Sequence, residues 1–167
     1  MNATTHTRIL IAAIGASDCG DDGIGPLVAK RLAGRLPSDA SLLARRGDML
    51  GLIDDWAGFD ALICIDAAAP MGAPGHIHRI DALEGELPAK LSPASSHALG
   101  LAEAFALARG LGVLPKRAVV YAVEGACFDI GAPMTPAVAE AADAAARQVL
   151  DEVHRLRAFE GEALPHV

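Results

Sequence analysis

The sequence predicts an α/β protein, a three-layer α/β/α sandwich around a mostly parallel, twisted sheet of about five strands. Two observations carry this. Short apolar runs such as "RILIAAI" (8–14), "DALICID" (60–66) and "RAVVYAVE" (117–124) alternate with longer segments whose apolar residues recur at helical spacing. Parallel strands need a crossover, and a helix between strands supplies it. The composition agrees: aromatic residues are 4%, while Ala, Val, Leu, Ile and Gly dominate, which suits helices packed closely on a sheet. The 167 residues are read as one domain, 1–167, with residues 1–7 and 158–167 expected to fray.

In order, residues 8–14 read as a buried strand. Pro26 stands near the start of an apolar helix running to about residue 36, where Pro37 helps end it. "SLLARR" (41–46) reads as a second strand, and "DMLGLIDDWAG" (48–58) has helical spacing at Leu50, Ile53 and Trp56. "DALICID" is a third strand, apolar inside and ending on Asp66. "GHIHRID" (75–81) alternates, so one face is exposed. A polar loop then leads to a helix over 97–112, with Ser95 or Ser96 as its N-cap. A buried strand follows at 117–124. Thr135–Pro136 reads as the cap and first residue of an Ala-rich helix over about 136–157.

Charge and composition exclude several functions. Formal net charge is −7 and no basic stripe is present, so nucleic acid and anionic membrane surfaces are disfavoured partners. No stretch is long and apolar enough for a membrane span. No signal peptide is evident. Cys19, Cys64 and Cys127 lie far apart without a C-x-x-C pair, as in a reduced, cytoplasmic protein. A monomer is expected.

The stretch "GASDCGDDGIG" (15–25) poses the functional question. Gly15 and Gly20 have the spacing of a phosphate loop, yet Asp21 and Asp22 stand where Lys and Ser or Thr belong. Two carboxylates repel phosphate by roughly a few kcal/mol per contact in a partly desolvated cleft. A cation suits the loop better. Asp66, at the carboxyl end of a central strand, reaches the same rim. His97, at the start of a helix, is kept neutral by the helix dipole, and a neutral imidazole is the form that binds metals. Asp22, Asp66 and His97 therefore form a candidate site for a divalent first-row metal.

Simpler readings stand beside each. Asp21 and Asp22 equally suit caps for the first helix, Asp66 a turn, and His97 a surface position. His76 and His78 share one strand face, which suits a ligand pair or a solvated surface. Cys19 suits a ligand, a reactive thiol or a tolerated loop residue. Cys64 reads as core, and Trp56 and Tyr121 as packing residues. Glu124 and Cys127 reach the same rim, and Glu124 either binds a ligand or anchors the loop.

Taken together, "ILIAAIG…GDDGIG", "ICIDA" and "SSHALGLAEAFALARGLG…VVYAVEG" resemble the [NiFe]-hydrogenase maturation endopeptidases from about Arg8 to Val153. The resemblance implies a three-layer α/β/α fold and removal of a C-terminal extension from a hydrogenase large-subunit precursor after nickel insertion. Matched by motif, the family's metal-recognising residues fall on Asp22, Asp66 and His97. For hydrolysis two roles stay open: Asp22 or Asp66 as catalytic general base, and the metal as a Lewis acid on the scissile carbonyl. Nickel is then supplied by the substrate precursor, and the resting protein needs no metal. The chain departs from the family at Ala16, where Asn is usual, at Arg45–Arg46, where "DGGT" is common, and at Ala98, where an acid is frequent. Two other readings remain open: a non-catalytic nickel-checkpoint chaperone of the same fold, and a metal-dependent nucleotide-binding enzyme.

Overall fold

The computed structural model describes residues 6–88 and 100–158. Strand β1 (Ile9–Ile14) lies beside β2 (Ala40–Arg45) on one side and β3 (Ala61–Ala68) on the other, all parallel. Strand β5 (Arg117–Glu124) adds parallel to β3, and β4 (Ile77–Asp81) closes the edge antiparallel to β5. The order is β2-β1-β3-β5-β4, a mixed sheet of five strands that is mostly parallel.

Period-two alternation divides the core into two layers. Ile9 and Ile11 of β1, Ile63 and Ile65 of β3, and Val119 and Tyr121 of β5 pack with helices α1 (Ile24–Leu32) and α4 (Pro136–Ala158). Leu10 and Ala12, Leu62 and Cys64, and Val120 and Ala122 pack with α2 (Met49–Asp55) and α3 (Leu101–Leu111). Every residue of β3 is buried, as its unbroken apolar run demands. Trp56 and Phe105, 5.2 Å apart between ring centroids, join α2 to α3, and the indole donates to Val113 O at 3.0 Å. The edge strand is fastened to α4 by charge. Arg79 grips the buried Glu152 at 2.9 and 3.0 Å, and the Tyr121 hydroxyl donates to the same carboxylate at 2.7 Å.

Element boundaries differ from expectation at several places, the first helix among them ending at Leu32 rather than near residue 36. The first helix starts at Ile24 and is preceded by a 3₁₀ turn over Gly20–Gly23. Strand β3 runs two residues past Asp66, because Ala67 and Ala68 continue the pairing with β5. Helix α3 begins at Leu101 rather than 97, with Gly100 in extended backbone as its N-cap. The proposed caps Ser95 and Ser96 lie outside the described residues.

The chain leaves β1 toward β2, then crosses back to place β3 on the other side. Neighbouring loops part at such a reversal, which opens a crevice at the carboxyl ends of the strands. The loop after β1 and the end of β3 meet there.

Candidate active site

Gly15 answers the question posed by the loop. Its φ is 136°, and a Cβ on it would collide with the carbonyl oxygen of Asp22. Glycine thus lets the chain fold back on itself. The return brings the Asp22 carboxylate over the loop start, where its Oδ2 accepts from the Ala16 N–H at 2.8 Å. Gly20, with φ 58°, lies against the carbonyl of Cys127 in the same way. The spacing of a phosphate loop is here a packing requirement of two turns.

Asp66 sits in the row of β3 that faces α2 and α3, beyond Leu62 and Cys64. It is 4% exposed, and among the described residues its carboxylate accepts only from the adjacent Ala67 N–H, through Oδ1 at 2.8 Å. Burial pushes its carboxyl well above the usual range, the negative charge of Asp22 pushes it further, and the Ala67 bond only partly opposes them. Asp22 is half-buried and is also raised. Burial is the main cause, and the charge of Asp18 adds to it, against the Ala16 N–H and the Arg46 guanidinium. The negative charge of Asp22 thus makes ionisation of the buried Asp66 harder.

Asp21, beside Asp22, does something else. Its side chain is buried and collects donors from the loop after β5 and the start of α4. Oδ2 accepts from the N–H groups of Ala126 and Cys127 at 2.7 and 3.0 Å, and Oδ1 from the Thr135 N–H at 2.7 Å. Burial raises this carboxyl, but the three N–H groups and the Thr135 hydroxyl outweigh it, and the net shift is downward. Neither acid caps the first helix or the 3₁₀ turn by a side-chain bond, so the capping reading is set aside. Successive residues of a 3₁₀ turn point about 120° apart, which sends Asp21 inward and Asp22 to the crevice.

Glu124 is the counterpart of Asp21 at the end of β5. Its Oε1 accepts from the N–H groups of Met71 and Ala73 at 2.6 and 2.7 Å and fixes the loop that leaves β3. Of its two sequence readings, the anchor is the one realised. Burial raises its carboxyl, and these loop donors and the facing His78 bring it below the usual value.

The remaining candidates are placed as follows. His97 lies outside the described residues. Cys64 is core. Cys19 and Cys127 are half-buried free thiols, and burial together with Asp18 raises that of Cys19, which disfavours the thiolate. The His76 and His78 rings do share a face, 4.4 Å apart. Among the described residues, no group of three or more His, Cys, Asp or Glu is arranged to hold a metal ion. The described part of the candidate set is thus the carboxylate pair, whose oxygen donors suit a divalent first-row cation but leave a third ligand to come from elsewhere.

Known proteins with this architecture decide the family. A family model described as hydrogenase maturation protease (HycI) matches residues 47–152, more than half of the chain. This chain belongs to the hydrogenase maturation protease family. The hydrogenase maturating endopeptidase HybD of E. coli has the same fold, with a TM-score of 0.74 and 28% identity over 89% of this chain and 93% of that one. The solution structure of an endopeptidase from Escherichia coli superposes with a TM-score of 0.77, at 27% identity over the same shares of the two chains. The [NiFe] hydrogenase maturation protease HybD of Thermococcus kodakarensis, at 21% identity and a TM-score of 0.70 over 87% and 99%, shares the fold. No curated protein sequence matches the chain. As a member of this protease family the chain is a peptidase, a hydrolase.

Two of the family departures have structural accounts. The loop bond at Ala16 comes from the main chain, so the missing Asn side chain is not needed for it. Arg45 is held by Asp55 and by Asp48, the N-cap of α2. Arg46 pairs with Asp18, an arrangement the sequence alone did not suggest. Ala98 lies outside the described residues. No helix among the described residues is long and apolar enough to cross a membrane.

Proposed function

We propose that this protease removes the C-terminal extension of a [NiFe]-hydrogenase large-subunit precursor once nickel has been inserted. Asp22 and Asp66 would read that metal together with His97. The observation that carries the reading is the Asp22 carboxylate acting on the buried Asp66. Two carboxylates, one almost fully buried, stand at the strand-order reversal, and among the described residues no basic side chain is bonded to either. Such a pair is strained while empty and is relieved when a cation arrives. Nickel bound in the precursor is that cation, so a loaded precursor docks and an unloaded one does not.

Docking lays the scissile peptide over the rim. Asp22 is the more exposed of the two acids and the better placed to take a proton from an attacking water. The water oxygen adds to the peptide carbonyl, the C–N bond breaks, and the proton passes to the leaving amine. The Ala16 N–H engages Oδ2 and holds the Asp22 carboxylate in one orientation, which leaves Oδ1 to take the proton. Asp66 remains the buried member that senses the charge.

The test is mass spectrometry of a large-subunit precursor with and without the protein. A discrete C-terminal loss that requires nickel and vanishes with Asp22→Asn is the expected result. Stable binding without mass loss would overturn cleavage in favour of a nickel-checkpoint chaperone. Stabilisation by nucleotide instead would move the protein out of this reading altogether.

A further inference from the structure

Arg46 is the first residue after β2, and Gly15 N–H donates to the neighbouring Arg45 carbonyl at 2.9 Å, so Arg46 stands beside the loop that carries Asp22. Its only side-chain partner among the described residues is Asp18. One nitrogen, Nη2, makes both bonds to that carboxylate, each at 2.8 Å. The Nε and Nη1 donors are left without a protein acceptor among the described residues. Guanidinium groups bind carboxylates best through two nitrogens at once, so this pairing uses half of what Arg46 offers. The side chains are 69% and 54% exposed, and a pair this open contributes little to folding. Arg45 differs on every count, being 24% exposed and committed to two aspartates.

The rest of the rim gives Arg46 its meaning. Asp18 and Asp22 place negative charge along the loop at the crevice, in a chain whose net charge is −7. A carboxylate on an arriving peptide is repelled along this rim except where Arg46 meets it. Resting on the proposed processing of a precursor, we propose that Arg46 is a specificity residue. It exchanges Asp18 for a carboxylate of the precursor's C-terminal extension and thereby sets which peptide bond lies over Asp22. The carboxylate comes from an acidic side chain of the extension or from its terminal carboxyl. Asp18 is the internal stand-in that keeps the guanidinium in place between substrates.

Steady-state processing of a nickel-loaded large-subunit precursor, followed by mass spectrometry, tests this. Arg46→Ala is expected to raise KM about tenfold or more, as for loss of one charge-assisted contact, with kcat within about twofold. Arg46→Lys retains part of the affinity. Asp18→Asn frees the guanidinium and leaves KM unchanged or lower. Neutralising the acids of the extension, or lengthening it with neutral residues so that its terminal carboxyl moves away, shows the source. The change that makes wild type and Arg46→Ala alike identifies the carboxylate. Wild-type KM for Arg46→Ala would overturn the proposal. So would equal impairment by Arg46→Ala and Asp18→Asn, which marks the pair as a loop brace, or a KM difference that survives both precursor changes. If the wild type does not cut the precursor at all, the processing reading falls and this inference with it; cleavage without an Arg46 effect removes this inference alone.

Discussion

The main-chain N–H of Ala16 donates to Asp22 Oδ2 at 2.8 Å, six residues further along the loop that folds back over Gly15. A side chain at position 16 takes no part in that bond. Ala16→Asn is therefore expected to change the processing rate by less than about threefold. Ala16→Pro deletes the donor, leaves Asp22 less well held and is expected to slow processing by about tenfold or more. Initial rates on one precursor compare the two directly.

Gly15 makes that turn possible. Gly15→Ala forces a side chain into backbone of φ 136° and against the Asp22 carbonyl. The expected cost is at least about 2 kcal/mol of stability. Processing should fall further than stability alone explains, because the shift displaces Asp22. Urea unfolding and rates on the same preparation separate the two effects.

The carboxylate pair sets function against stability. Asp66 has a raised carboxyl in the folded state, so its ionised form weakens the fold above the unfolded value of 3.8. Asp66→Asn removes that charge. It is expected to raise Tm near pH 7, with the gain fading as pH falls through the raised folded value and gone below the unfolded value of 3.8, while abolishing processing. Asp22→Asn and His97→Ala should abolish processing with the fold intact. Thermal melts at several pH values, beside the mass assay, check all three.

Asp21 and Glu124 respond to pH in the opposite sense. Each has a lowered carboxyl in the folded state, so the stability it contributes is present above the unfolded values of 3.8 and 4.5 and is lost as pH falls through the lower folded values. Asp21→Asn is expected to cost about 1–3 kcal/mol at neutral pH, since the amide replaces one accepting oxygen with a donor facing other N–H groups. The difference from wild type should shrink in acid. Chemical denaturation at pH 7 and pH 3 reads both.

The fold was legible because local signals and global topology agree. The all-apolar run of β3 and the alternation of β4 each fix their own burial. The start of α3 was not, since Leu99–Gly100 sits inside a run of helical spacing and only the extended backbone at Gly100 marks the boundary. Asp66 and Asp22 could be placed on one rim by reasoning that strand ends share an edge. The separate duties of Asp21 and Asp22 could not, because they depend on a 3₁₀ turn that points adjacent side chains apart. Arg46 and Asp18 are 28 residues apart, and no pattern in the chain joins them.

Asp21 and Glu124 grip their loops by main-chain N–H groups at Met71, Ala73, Ala126, Cys127 and Thr135. Main-chain donors are indifferent to the side chains they carry, proline excepted. The rim of this protease can thus be rewritten residue by residue, toward a new precursor, while the scaffold beneath the carboxylate pair stays in place. Diversification across a family of processing enzymes needs that separation between what recognises and what supports.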